Sequence, residues 1–158
     1  MSGQQIDLLV PSFDGKFSQE ILGARAFDAV PGIYLALSAA PILIRAHAVL
    51  TNNQTLEFEA RVPSVEIALV IKALAFQSRL ADKDLVDIYN LLQIAHSYQP
   101  EFQDTWTLSK PSQAARFDAQ VSLHKLADRV GSQRKPSVAE VKPEVLVALI
   151  RKLIALPS

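Results

Sequence analysis

Four charged residues are set into the most apolar stretch of this chain, and their spacing is the kind that chemistry would use. Lys72 and Arg79 lie seven apart within residues 63–92, and Asp84 and Asp87 follow, three apart. Seven residues is two helical turns, so the cations share one face of a first helix. Three residues puts the carboxylates on one face of a second. Only the short polar joint Leu80-Ala81-Asp82 separates the two apolar runs, which makes the helices antiparallel neighbours. The basic pair can then face the acidic pair across the hairpin. Charges in apolar surroundings are costly unless they are paired or put to use.

The run Lys72-Ala73-Leu74-Ala75, then Arg79, then Lys83-Asp84-Leu85-Val86-Asp87 resembles the C-terminal part of nucleotidyltransferase-like proteins of the abortive-infection and toxin–antitoxin group. Ile6-Asp7-Leu8-Leu9-Val10-Pro11 is similar to that family's strand bearing a third carboxylate. Ala29-Val30-Pro31-Gly32, followed by Ala36-Leu37, also fits. The resemblance spans roughly residues 4–97. It implies a partial nucleotidyltransferase-like fold, with Asp7 as a catalytic remnant and Lys72, Arg79, Asp84 and Asp87 near a nucleotide. In the family, a Gly-Ser turn and an Asp-x-Asp pair on a strand hold two metal ions for transfer. Both precede the third carboxylate, and only six residues precede Asp7 here. Gly131-Ser132 leads into Gln133-Arg134-Lys135, and Asp82-Lys83-Asp84 opens a helix. In that helix Asp82 reads as an N-cap and Asp84 as a first-turn anion.

The expected function is therefore that of a nucleotidyltransferase-like protein with no catalysis of its own. Two alternatives stand beside it. One is an active nucleotidyltransferase completed by upstream sequence or another chain. The other is a toxin–antitoxin component that works by protein contact. Magnesium and a nucleoside triphosphate are expected only where the missing segment is supplied. Each site residue also has a structural role open to it. Lys72 can pair with Asp87, Arg79 suits the negative end of its helix, Asp84 can sit at a helix start, and Asp87 can serve the lysine.

Other chemistry finds little footing. There is no cysteine, and His47, His96 and His124 are far apart with no ligand-type spacing. Asp7 alone is a poor magnesium site, because such sites use one or two carboxylates plus substrate phosphates. No phosphate-loop or dinucleotide motif is present. Sixteen basic residues balance sixteen acidic ones, which makes no general case for nucleic acid. Arg129, Arg134, Lys135 and Lys142 read as a solvated basic linker region, diluted by Asp128 and Glu140. The N-terminal residues carry no signal-peptide pattern, and no stretch is apolar enough to span a membrane, so a cytoplasmic protein is expected.

The elements that must position these residues read as α+β, strands first and helices after. Residues 4–10 alternate as a strand with Ile6, Leu8 and Val10 on one side. Residues 31–39 read as a short helix and 18–30 stay open. Residues 42–50 and 55–62 form a hairpin through Thr51-Asn52-Asn53-Gln54. Helices follow over about 64–80, 83–97, 112–130 and 143–156, the third stopped by Gly131. A structured loop with the only tryptophan spans 97–110. Residues 1–97 form a nucleotidyltransferase-like core, and 98–158 a helical extension packed on it. The last helix carries a broad apolar stripe, which either packs on its own domain or meets a protein partner or second copy.

Overall fold

The computed structural model describes residues 8–132 and 138–158. The expected strand residues Ile6 and Asp7, and the linker residues Arg134 and Lys135, lie outside them.

Residues 18–30 resolve into two strands. Gly23, at φ 66°, supplies the left-handed backbone that a tight hairpin needs. It joins β2 (Ser18–Leu22) to β3 (Arg25–Val30) in antiparallel register, from Ser18↔Ala29 to Leu22↔Arg25. The first strand, β1 (Leu9–Pro11), pairs parallel to β3, so the sheet is mixed and ordered β1-β3-β2. The alternation expected for residues 4–10 holds poorly where it is described. Leu8 and Leu9 are both exposed and Val10 is half-buried, because β1 is a short edge strand with no layer over one side.

Pro31 and Gly32 turn the chain into α1 (Ile33–Ser38). Gly32 has φ 81°, and a Cβ there would lie 3.3 Å from the Leu74 side chain. A Gly32→Ala variant is expected to lose about 1–2 kcal/mol, from the left-handed strain together with the crowding. Urea unfolding checks this, and an unchanged midpoint would show that the turn relaxes freely.

The second hairpin, β4 (Ile42–Val49) and β5 (Thr55–Val62), forms a separate two-stranded sheet. The expected single small sheet is therefore two. The helices are α2 (Val65–Arg79), α3 (Asp82–Ser97), a single turn α4 (Gln99–Phe102), α5 (Ala114–Ser132) and α6 (Pro143–Leu153). Ser64 starts α2 by accepting from the Ile67 N–H at 3.3 Å. The chain does not stop α5 at Gly131, which stays helical. An isolated glycine costs a helix only about 1 kcal/mol.

The core sits among the helices. Leu69, Ile88, Leu92, Leu123, Leu146 and Ile150 are fully buried in one cluster. Its members come from α2 and α3, before residue 97, and from α5 and α6 after it, so the apolar packing runs unbroken across that point. The apolar stripe of α6 is spent here, on α3 and α5. The helix also ends at Leu153, earlier than expected. Of the two expectations for 143–156, the packing of Leu146, Leu149, Ile150 and Leu153 inside the fold is that of a helix on its own domain.

Candidate functional site

The joint between α2 and α3 sets the geometry of the four charges. Leu80 ends α2 in the left-handed region at φ 52°, and Ala81 is extended and begins α3. Two residues thus reverse the chain and lay α3 against α2. Lys72 Nζ then reaches Asp87 Oδ2 at 2.6 Å and Asp84 Oδ1 at 3.5 Å. Arg79 grips Asp84 with both arms, Nε to Oδ2 at 2.6 Å and Nη2 to Oδ1 at 2.7 Å. This is the two-pronged geometry in which arginine binds carboxylates best.

The structure thus brings together Lys72, Arg79, Asp84 and Asp87, with one difference from expectation. Asp82 is no cap: Ala81 holds that position and no side chain caps the helix. Asp84 does lie in the first turn of α3, but inside the fold. Its side chain is fully buried, whereas Lys72 and Asp87 are about a third exposed, at 31% and 32%. Asp84 is therefore the one buried member, held by the more exposed Arg79, at 57%, and Lys72–Asp87 is a partly exposed pair beside it.

Hydrogen bonds from Arg79, with the charges of Arg79 and Lys72, hold the Asp84 carboxyl below its ordinary range although burial pushes it up. The same bonds push Arg79 above its ordinary value. Two cations meet two anions, so the cluster carries no net charge toward a phosphate. Both carboxylates already bind cationic side chains, whereas a magnesium ion needs carboxylate oxygens for itself. The residues present do not fit a metal here.

Asp7 lies outside the described residues. The three histidines do not meet. His47 Nδ1 lies 3.2 Å from Glu57 on the exposed hairpin, His96 Nδ1 lies 3.4 Å from Lys152 Nζ, and His124 Nε2 faces the Ile154 and Ala155 carbonyls. Among the described residues, no three His, Cys, Asp or Glu side chains gather as metal ligands would. Of the basic residues placed near the linker, Arg129 lies over the Phe76 ring, 5.3 Å from its centre, a cation–π contact. A cleft of about 530 Å³ is lined by Asp14, Lys16, Pro31, Leu74, Gln77 and Asp118 among others, and by none of the four charges. Asp14 is held low by the Lys16 backbone N–H and the Ser12 hydroxyl.

A second polar cluster escaped the sequence reading. Glu66, in the first turn of α2, is buried. It accepts from the Thr107 N–H, the Thr107 hydroxyl at 2.7 Å, the Leu108 N–H at 3.2 Å and Arg116 Nε at 3.0 Å. Nearby, Trp106 Nε1 donates to the Leu153 carbonyl at 2.9 Å. Gln120 Nε2 donates to the carbonyls of Leu108 and Lys110 at 3.0 and 2.8 Å. The segment 103–113 is thus pinned by side chains from α2 and α5 and by a backbone carbonyl of α6. Only the acid in the first turn of an apolar helix signalled this. Its partners lie 41 to 50 residues away.

Compared with family models, curated proteins and solved structures, the chain has no match. No helix among the described residues is long and apolar enough to cross a membrane.

Proposed function

We propose that this chain is a nucleotidyltransferase-like protein that does not transfer nucleotides by itself and acts through binding. One observation carries the reading. The cations that the family resemblance would assign to a nucleotide, Lys72 and Arg79, are already matched by Asp84 and Asp87 within the helical hairpin. They brace α2 against α3. Incubation with labelled nucleoside triphosphates, magnesium or manganese, and RNA or protein acceptors is expected to leave every acceptor unlabelled. Robust label transfer by the purified chain overturns the proposal.

A second reading has its own observation. Arg79 is 57% and Lys72 31% exposed, so their outer flanks remain reachable by an incoming phosphate. On that reading a polypeptide carrying the Gly-Ser turn and the Asp-x-Asp pair completes an active site, and brings magnesium and nucleotide with it. Label transfer that appears only on mixing the two favours this alternative.

A further inference from the structure

A two-stranded hairpin in water is marginal unless something covers it. The β4–β5 hairpin stands clear of the fold: its strands pack on each other and only marginally on any other described element. Its register sorts the side chains by face. The pairs Ile42↔Val62, Ile44↔Ala60, Ala46↔Phe58 and Ala48↔Leu56 all point to one side, which bears no polar side chain. The charges lie on the other side, where His47 meets Glu57. The apolar side is not covered. Ile42 and Ile44 are each 42% exposed, Leu56 51% and Phe58 46%. Contiguous exposed apolar surface of this kind marks interaction sites.

We propose that this face docks a second copy of the chain, hairpin on hairpin, about a two-fold axis. The first argument is shape. Toward the base of the hairpin the greater bulk stands on β4, at Ile42 and Ile44, with Val62 and Ala60 opposite. Toward the tip it stands on β5, at Leu56 and Phe58, with Ala46 and Ala48 opposite. Large and small residues therefore occupy opposite corners. A two-fold axis between two such faces, parallel to the strands, lays β4 of one copy over β5 of the other. Ile44, Phe58 and Leu56 of each copy then meet Ala60, Ala46 and Ala48 of the other, while Ile42 meets Val62, which is the self-complementarity that an isologous contact demands.

Charge agrees. The face is uncharged and suits an uncharged partner. The chain carries a formal net charge of +0, so two copies do not repel. The charged faces stay in water on the outside, as in a small sandwich.

Area sets the strength. Two strands of eight residues present a face roughly 27 Å by 10 Å. That buries on the order of 600 Å² over both copies, below the roughly 1,200 Å² of stable complexes. The dimer is therefore weak and reversible. This inference rests on the binding half of the proposed function and not on its chemistry. Label transfer and the mass measurement below fail independently.

The test is sedimentation equilibrium of the full chain from micromolar to near-millimolar concentration. The mass is expected to rise reversibly from one chain to two and no further. Phe58→Lys should weaken association at least about tenfold. Ala46→Trp fills a hollow without adding charge and should weaken it too, with the circular dichroism of the monomer unchanged. Val49→Lys, on the opposite face, should leave it intact. A wild-type mass of one chain at every concentration overturns the proposal, whatever else the hairpin binds. So does growth beyond two copies, tighter association by Ala46→Trp, or loss of association in Val49→Lys.

Discussion

Replacing Arg79 with alanine is expected to lower stability by about 3 kcal/mol, and replacing Asp84 with asparagine by clearly less. The asymmetry follows from burial. Asp84 is fully buried while Arg79 is 57% exposed. Without Asp84 the guanidinium swings into water and keeps its hydration. Without Arg79 the carboxylate stays inside with only Lys72, 3.5 Å away. Breaking a buried pair from that side typically costs about 3–5 kcal/mol, and the lysine holds the loss toward the lower figure. The double change Arg79→Met with Asp84→Leu should recover much of it, because the charge needing compensation is gone.

The pH dependence follows from the same bonds. The Asp84 carboxyl is depressed in the fold. It therefore stabilises the protein above its unfolded value, about 3.9, and loses that contribution as pH falls through the lower folded value. In Arg79→Ala the buried carboxylate keeps only Lys72 as a partner, a penalty that protonation removes. The gap between wild type and variant is full where both carboxyls are ionised and closes on acidification, from the variant's higher carboxyl value down to the depressed wild-type one. Urea unfolding along a pH series measures it. A gap that is constant with pH, or an Asp84→Asn variant that loses more than Arg79→Ala, would show that the arginine acts by packing and not by charge.

This pair shows how far the sequence could be read. Lys72, Arg79, Asp84 and Asp87 were legible as one cluster, because the 3.6-residue period and a two-residue joint fix which faces meet. Which acid goes inside was not legible. Asp84 and Asp87 share a helix face, and the outcome turns on the left-handed Leu80, which the letters do not announce. The hairpin over residues 42–62 was legible from strict alternation, and its lack of a covering layer was not, since alternation says only that one face is apolar. The strand pair at 18–30 stayed open, because Ser18–Leu22 alternates poorly and is exposed throughout. The anchoring of 103–113 could not be read at all. It depends on hydrogen bonds spanning 41 to 50 residues, and no local period encodes them.

That anchoring carries the other large effect. Glu66→Ala is expected to cost about 2–3 kcal/mol. The carboxylate is the acceptor for the backbone N–H groups of Thr107 and Leu108, for the Thr107 hydroxyl and for Arg116. Removing it leaves both N–H groups facing a methyl group. A buried donor without a partner costs about 1–3 kcal/mol, and the Leu108 N–H becomes one, while exposed Thr107 can turn its N–H to water. Arg116, 30% exposed, can turn to water and adds little. Glu66→Gln should lose about half as much. Its amide keeps one accepting oxygen and turns its NH₂ toward groups that are themselves donors. The damage should be local before it is global. The Trp106 indole donates to the Leu153 carbonyl, and the Ala155 N–H donates to the Leu108 carbonyl at 2.8 Å. Loosening 103–113 therefore frees the tryptophan and the C-terminal end of α6 together. Hydrogen exchange at the Thr107 and Leu108 amides should speed up in Glu66→Ala even at low temperature, with a red shift of the tryptophan emission. If those amides stay protected and the variant melts with wild type, another acceptor has taken the place of Glu66, and the segment is held by its apolar contacts, Trp106 and Leu108, alone.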